Sequence, residues 1–238
     1  MIMKEPPSII IFDCFETIVE NEISSWIALF NELVKDNKWN IDPNILWKVW
    51  KTEEVLFREK RTNLKDLKLN PKFKTYEDAW SDCFEKVLDN YNLKGNSNHL
   101  SRKCVMNMAK NKPYEDTLEY LNKLSDYCKL GVISNADNDF LNPVLDRIGF
   151  NFDYILSSES AKLYKPDPRI FMRLVKDNNL DPSDCWYVGD KEFDDVLGSS
   201  SVGMQPFLID RSVYNEISED KKFISISNLI QLYEIIKK

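Results

Sequence analysis

The stretch Ser8-Ile9-Ile10-Ile11-Phe12-Asp13-Cys14-Phe15-Glu16-Thr17 decides how this chain is read. A short run of β-branched and aromatic residues stops abruptly at an aspartate. Such a run, apolar at every position instead of alternating, reads as a strand buried on both faces. The aspartate is then delivered to the edge of a sheet, where a carboxylate can act as a nucleophile or hold a metal ion. Phe15, two places further on, bears on how much chemistry that carboxylate can do.

Downstream the composition changes twice. From about Glu20 to Lys112 the pattern is helical, with almost no strand signal. Trp26, Phe30, Leu33 and Val34 share one helical face. Asp42-Pro43 is an N-cap with proline at the first helical position and opens a helix through Trp50 and Phe57. Thr75, with Asp78 three residues later, caps another, and Asn98 is expected to cap a fourth. Beyond Lys112 strands and helices alternate. Helices are expected over 115–125, 138–148, 168–177, 194–200 and from Ser227, and strands over 129–133, 154–156, 185–188, 206–209 and 223–224. Alternation of this kind implies a parallel sheet with helices on both faces. The expected fold is therefore α/β: a Rossmann-like parallel-sheet core (1–19 and 113–238) with an inserted α-helical domain (20–112). In open α/β sheets ligands bind beyond the carboxyl ends of the strands. An insert leaving from that edge would form a lid.

Composition narrows the partners. The chain has 238 residues, 43% hydrophobic and 12% aromatic, enough for a substantial core. Its net charge of −7 does not favour nucleic acid or an anionic membrane. Lys48–Lys74 runs against that trend, with nine Lys or Arg against four Asp or Glu. This segment is either a solvated helical face or a collar for an anionic substrate, with Arg58, Lys60 and Arg61 as candidates to touch it. The five cysteines, Cys14, Cys83, Cys104, Cys128 and Cys185, form no CxxC pair, which disfavours structural zinc and fits a reducing cytoplasm. No run approaches the ~20 apolar residues of a membrane span.

Three further polar groups fall at strand ends or before a helix. They are Ser134-Asn135, Lys165 within Tyr164-Lys165-Pro166-Asp167-Pro168, and Asp190 with Asp194 and Asp195 just beyond. Singly, Ser134, Asp190 and Asp194 read as turn or cap residues and Lys165 as an exposed turn lysine. Jointly they place carboxylates, a hydroxyl, an amide and a lysine on one sheet edge. Carboxylates so close repel unless a cation lies between them, and hard oxygen ligands suit Mg²⁺. A lysine and a hydroxyl alongside would neutralise and hydrogen-bond a phosphoryl group in transfer.

The set Ile10-Ile11-Phe12-Asp13…Thr17, Val132-Ile133-Ser134-Asn135, Lys165-Pro166-Asp167-Pro168-Arg169-Ile170-Phe171 and Val188-Gly189-Asp190…Asp195 resembles, in order and spacing, the four motifs of the haloacid dehalogenase-like (HAD) hydrolases. The insert stands where that family carries a helical cap of the first type. The third motif and Val202-Gly203-Met204 look most like the REG-2-like branch. The resemblance implies that Asp13 is the nucleophile and a Mg²⁺ ligand, joined by the backbone carbonyl of Phe15. It implies that Thr17 steadies the loop, that Ser134 and Asn135 contact the phosphoryl group, and that Lys165 offsets its charge. Asp190 would bind Mg²⁺ directly and Asp195, with Asp194, through water. The implied partner is a small phosphorylated or anionic metabolite.

One departure matters. Phosphatases of this family carry aspartate two residues after the nucleophile, where it protonates the leaving alcohol. Here that residue is Phe15, and general acid–base help is typically worth ~10²–10⁴ in rate. Glu16 is the nearest substitute; His99, the only histidine, lies in the insert. Three functions stay open on sequence: a Mg²⁺-dependent phosphohydrolase or phosphotransferase, a metal-free 2-haloacid dehalogenase, and a weakened phospho-ligand-binding protein.

Overall fold

The computed structural model describes residues 6–213, 217–219 and 222–238. Met1–Glu5, at the start of the expected core range, lie outside the described residues. Seven strands form one sheet: β1 Ile9–Phe12, β2 Lys129–Ser134, β3 Tyr154–Ser157, β4 Cys185–Gly189, β5 Gln205–Ile209, β6 Ser218–Glu219 and β7 Ile224–Ile226. Their order is β3-β2-β1-β4-β5-β7-β6, and every pairing is parallel except β6 with β7. The Rossmann-like α/β expectation is met. β1 sits between β2 and β4 and is buried at all four positions, as its unalternating sequence requires.

The helices are α1 Ile23–Asn37, α2 Pro43–Lys60, α3 Tyr76–Asn90, α4 Ser97–Met108, α5 Thr117–Ser125, α6 Asn138–Ile148, α7 Ser158–Ala161, α8 Pro168–Asp177, α9 Gly198–Ser200 and α10 Leu229–Ile236. Strand periodicity divides the core. Ile9 and Ile11 face a cluster with Ile170, Phe171 and Leu174 of α8. Ile10 and Phe12 face the opposite cluster, which runs through Phe140 of α6 into Trp26, Phe30, Trp50 and Phe84 of the helical insert. Sheet and insert therefore share one hydrophobic core.

Helix starts follow cap chemistry. Asp42 accepts from the Asn44 amide and Thr75 from the Asp78 amide. The fourth insert helix is capped two residues before the expected position: Asn96, not Asn98, accepts from the His99 amide at 3.0 Å, while Asn98 Oδ1 accepts from Ser81 Oγ at 2.9 Å. Residues expected to start a helix at Asp194 instead join a wide π-type turn, Glu192–Leu197, that leads into α9. The last strand is Ile224–Ile226, and Asn228 caps α10. β6 is too short to carry a periodic signal.

Because one core joins insert and sheet, Phe30→Ala is expected to destabilise the whole chain by about 3–5 kcal/mol. Urea unfolding followed by near- and far-UV circular dichroism should show one shifted transition. Two separated transitions would contradict the shared core.

Candidate active site

Register builds the site. Phe12 lies opposite both Val132 and Val188, so the next residues of β1, β2 and β4 emerge at one edge. Asp13 is held there by its own amide, which donates to the Val188 carbonyl at 2.8 Å. Ser134 Oγ donates to Asp13 Oδ1 at 3.0 Å. Lys165, only 1% exposed, arrives from the loop between α7 and α8. Its ammonium donates to Asp13 Oδ1 at 2.6 Å, Asp195 Oδ1 at 2.6 Å and the Tyr187 hydroxyl at 2.8 Å, which uses all three of its N–H bonds. Burial alone would lower the pKa of this ammonium; Asp13, Asp195 and Tyr187 outweigh it and hold the value well above that of an ordinary lysine.

Asp13, Asp190 and Asp195 each present an oxygen within 4.8 Å of the others. Gly189 permits this approach: a Cβ there would lie 2.3 Å from Asp195 Cγ. Burial, then the charges of Asp13 and Asp195, push the Asp190 carboxyl up to about 8 despite Lys191. Burial likewise raises Asp195 to about 6, against the pull of Lys165. The cluster is short of positive charge. Two buried carboxylates and one half-buried, with oxygens at this spacing, make a donor set that fits a hard divalent cation such as Mg²⁺, whose ligands lie at ~2.0–2.1 Å.

Not every expected residue joins them. Asp194 points to the insert, where its Oδ2 pairs with Arg61 Nη2 at 2.7 Å. Arg61 is thereby used as a structural tie, packed over Tyr164 at 4.8 Å. Arg58 borders the cavity, whereas Lys60 lines a separate groove. Asn135 accepts from the Lys165 amide at 2.8 Å and donates to the Lys165 carbonyl at 3.1 Å, so it fixes the lysine loop as well as facing the cavity. Thr17 is fully buried away from the cavity. Its hydroxyl has no partner among the described residues, while its carbonyl accepts from Arg211 at 2.6 and 2.9 Å, so here the main chain ties the loop. His99 is exposed.

Four features were not foreseen. Tyr187 bridges Lys165 to the Ile133 carbonyl at 2.9 Å from within an apolar strand. Lys191 Nζ spans Asp190 Oδ2 at 2.5 Å and Glu16 Oε2 at 2.9 Å. Glu16 holds φ +62°, a left-handed conformation unfavourable to a side chain, where the resembling family often has glycine. Asp137, beyond β2, accepts from the amides of Tyr76 and Glu77 at 2.8 Å each and so caps α3 of the insert from the core. Local spacing could have suggested only Asp137, as a cap residue.

A cavity of about 110 Å³ opens between this edge and the insert, bounded by Asp13, Phe15, Ser134 and Lys165 on one side and by Trp50, Glu54 and Trp80 on the other. Phe15 packs its ring on Phe140 at 5.6 Å. No described helix is long and apolar enough to cross a membrane, and all five cysteines are free.

The chain is 32% identical over 117 residues to haloacid dehalogenase-like hydrolase domain-containing protein 3 of Mus musculus, a match covering 46% of each chain. It thus spans about half the length of this curated relative. A glyceraldehyde 3-phosphate phosphatase of Methanocaldococcus jannaschii is 26% identical over 183 residues, covering 75% of this chain and 80% of that one. Among solved structures, magnesium-bound YfnB of Bacillus subtilis superposes with a TM-score of 0.78 at 17% identity, over 98% of this chain and all of the other. The defluorinating L-2-haloacid dehalogenase Rha0230 gives 0.76 at 16%, over 98% and 96%. These likenesses show the fold. The model of the haloacid dehalogenase-like hydrolases matches residues 7–203, and the chain belongs to that family.

Proposed function

We propose that this chain is a Mg²⁺-dependent phosphatase in which Asp13 attacks a small organic phosphate. The observation that carries the reading is the approach of Asp190 and Asp195 to Asp13, with oxygens within 4.8 Å. A metal-free dehalogenase would have to hold those three carboxylates together with Lys165 and Lys191 as the nearby cations, and Asp190 strains that arrangement. The phosphatase relatives support the same direction.

Asp13, Asp190 and Asp195 would hold Mg²⁺, with the Phe15 carbonyl as a further ligand. When bound, the ion neutralises phosphate charge. An Asp13 oxygen forms a bond to phosphorus as the bond from phosphorus to the leaving oxygen breaks, giving an aspartyl phosphate. Lys165 would orient Asp13 and offset the charge of the phosphoryl oxygens. Ser134, bonded to Asp13 Oδ1 in this structure, is placed to turn its hydroxyl to the phosphoryl group. Water then attacks phosphorus, giving up its proton to solvent, as the bond from phosphorus to the Asp13 oxygen breaks, which releases inorganic phosphate and free Asp13.

The leaving oxygen must take its proton from solvent. Phe15 offers none, and the Glu16 carboxylate is engaged by Lys191. The enzyme is therefore suited to good leaving groups, such as acyl phosphates. An accumulating aspartyl phosphate would instead mark a phospho-ligand-binding protein, and halide release in chelator a dehalogenase.

Phosphate release from acyl and aryl phosphates is expected to vanish with EDTA and with Asp13→Asn, and to return on Mg²⁺ addition only to the parent protein. Halide release from 2-haloacids that persists in EDTA would replace this reading. Phe15→Asp should raise kcat for simple alkyl phosphomonoesters by about 10²-fold while leaving acyl phosphates little changed. Unchanged alkyl ester turnover would show that leaving-group protonation is not limiting.

A further inference from the structure

Of the cations in the basic segment Lys48–Lys74, only Lys51 and Arg58 border the cavity over Asp13. Lys60, Arg61, Lys72 and Lys74 instead line a second cavity of about 270 Å³, which shares no lining residue with the first. It lies between α2, α3 and the loop 61–75 that joins them, and Tyr164 closes it from the sheet side. Its floor is Ala79 and Cys83, one helical turn apart on α3 and each 2% exposed. Two such short side chains leave the space above them open.

Three rings make the walls. Phe73 stacks on Tyr164 at 5.0 Å, and Phe57 meets Tyr164 edge-on at 5.9 Å. Phe57 and Phe73 are only half-buried, so this end of the cavity keeps apolar surface that the fold does not cover. The loop that carries Phe73 is fastened. The Tyr164 hydroxyl donates to the Lys74 carbonyl, and Asn70 Nδ2 donates to Asp167 Oδ2 at 3.2 Å. The cavity is thus preformed, and a ligand need not order it.

Its charge is one-sided. The two lining acids are already engaged, Asp82 by Lys74 and Glu53 by Lys86 at 2.8 Å, and Arg61 is held by Asp194 at 2.7 Å. Lys60 and Lys72, both exposed, have no acidic partner among the described residues. Two free ammonium groups therefore stand beside three rings, in a chain whose net charge is −7.

We propose that this cavity is a second ligand site, separate from the one over Asp13, for a small aromatic carboxylate. The ring of such a ligand meets Phe57, Phe73 and Tyr164, and its carboxylate meets Lys60 and Lys72. A volume of about 270 Å³ falls just short of the ~300 Å³ at which pockets begin to enclose drug-sized ligands, so the ligand has one or two rings.

The test is isothermal titration of the protein at low salt with 2-naphthoate, 2-naphthylmethanol and acetate, which carry ring and charge, ring alone and charge alone. The naphthoate is expected to bind about tenfold or more tightly than the alcohol, and acetate not to saturate in the same range. Reversing the two exposed charges, Lys60→Glu with Lys72→Glu, should cut the ratio of acid to alcohol several-fold, and salt should do the same. Ala79→Leu, which raises the floor, should weaken both naphthyl probes; the lysine variants test the site even where this one does not fold. Equal binding of acid and alcohol, or a ratio unmoved by the charge reversals, overturns the assignment. Self-association in sedimentation that 2-naphthoate reverses would give the cavity to a second copy of the chain and overturns it as well.

Discussion

A single buried ammonium organises the site. Lys165 is enclosed by protein, and an enclosed charge persists only where every donor is met and opposite charge lies in contact. Asp13, Asp195 and Tyr187 meet those terms, each from a different part of the chain. Disrupting a pair of this kind by removing one partner typically costs about 3–5 kcal/mol, because the other charge is left buried alone. The lysine therefore fixes the Asp13 carboxylate in place. It cannot satisfy all three carboxylates, and Asp190 is left with the exposed-edge Lys191 as its partner. That residual demand for positive charge is what the proposed divalent cation would meet.

The loop after β1 departs from the usual phosphatase pattern at two adjacent residues, and both side chains have structural uses. Phe15 trades an acid for a ring that packs on Phe140 and begins the wall leading to the insert's tryptophans. Glu16 accepts a left-handed backbone and binds Lys191, which steadies the cation beside Asp190. Arg61–Asp194 and the Asp137 cap on α3 tie the same two parts together through polar contacts. Apolar, ionic and backbone ties thus act together between the sheet and the insert.

Much of the sheet was legible because its signals are local. Ser8–Phe12 announces a buried strand through composition alone, and Asp42-Pro43 announces a helix through two neighbours. The gathering of Asp13, Ser134, Lys165 and Asp190 was readable from strand ends and parallel topology. Other features were not local. Asn96 and Asn98 are the same residue type on either side of Ser97, and residue type does not tell the one that caps the helix from the one that meets Ser81. Tyr187 looks like one more apolar strand residue until its hydroxyl meets Lys165. Lys191 and Glu16 are 175 residues apart, and no spacing rule links them.

The most direct measurement is calorimetric titration of Mg²⁺ into the protein and into Asp190→Asn, without substrate. The account predicts one saturable site in the parent and at least a tenfold loss of affinity in the variant. Failure of the parent to bind Mg²⁺ at millimolar concentration, or equal binding by both proteins, would contradict a shared cation site among Asp13, Asp190 and Asp195.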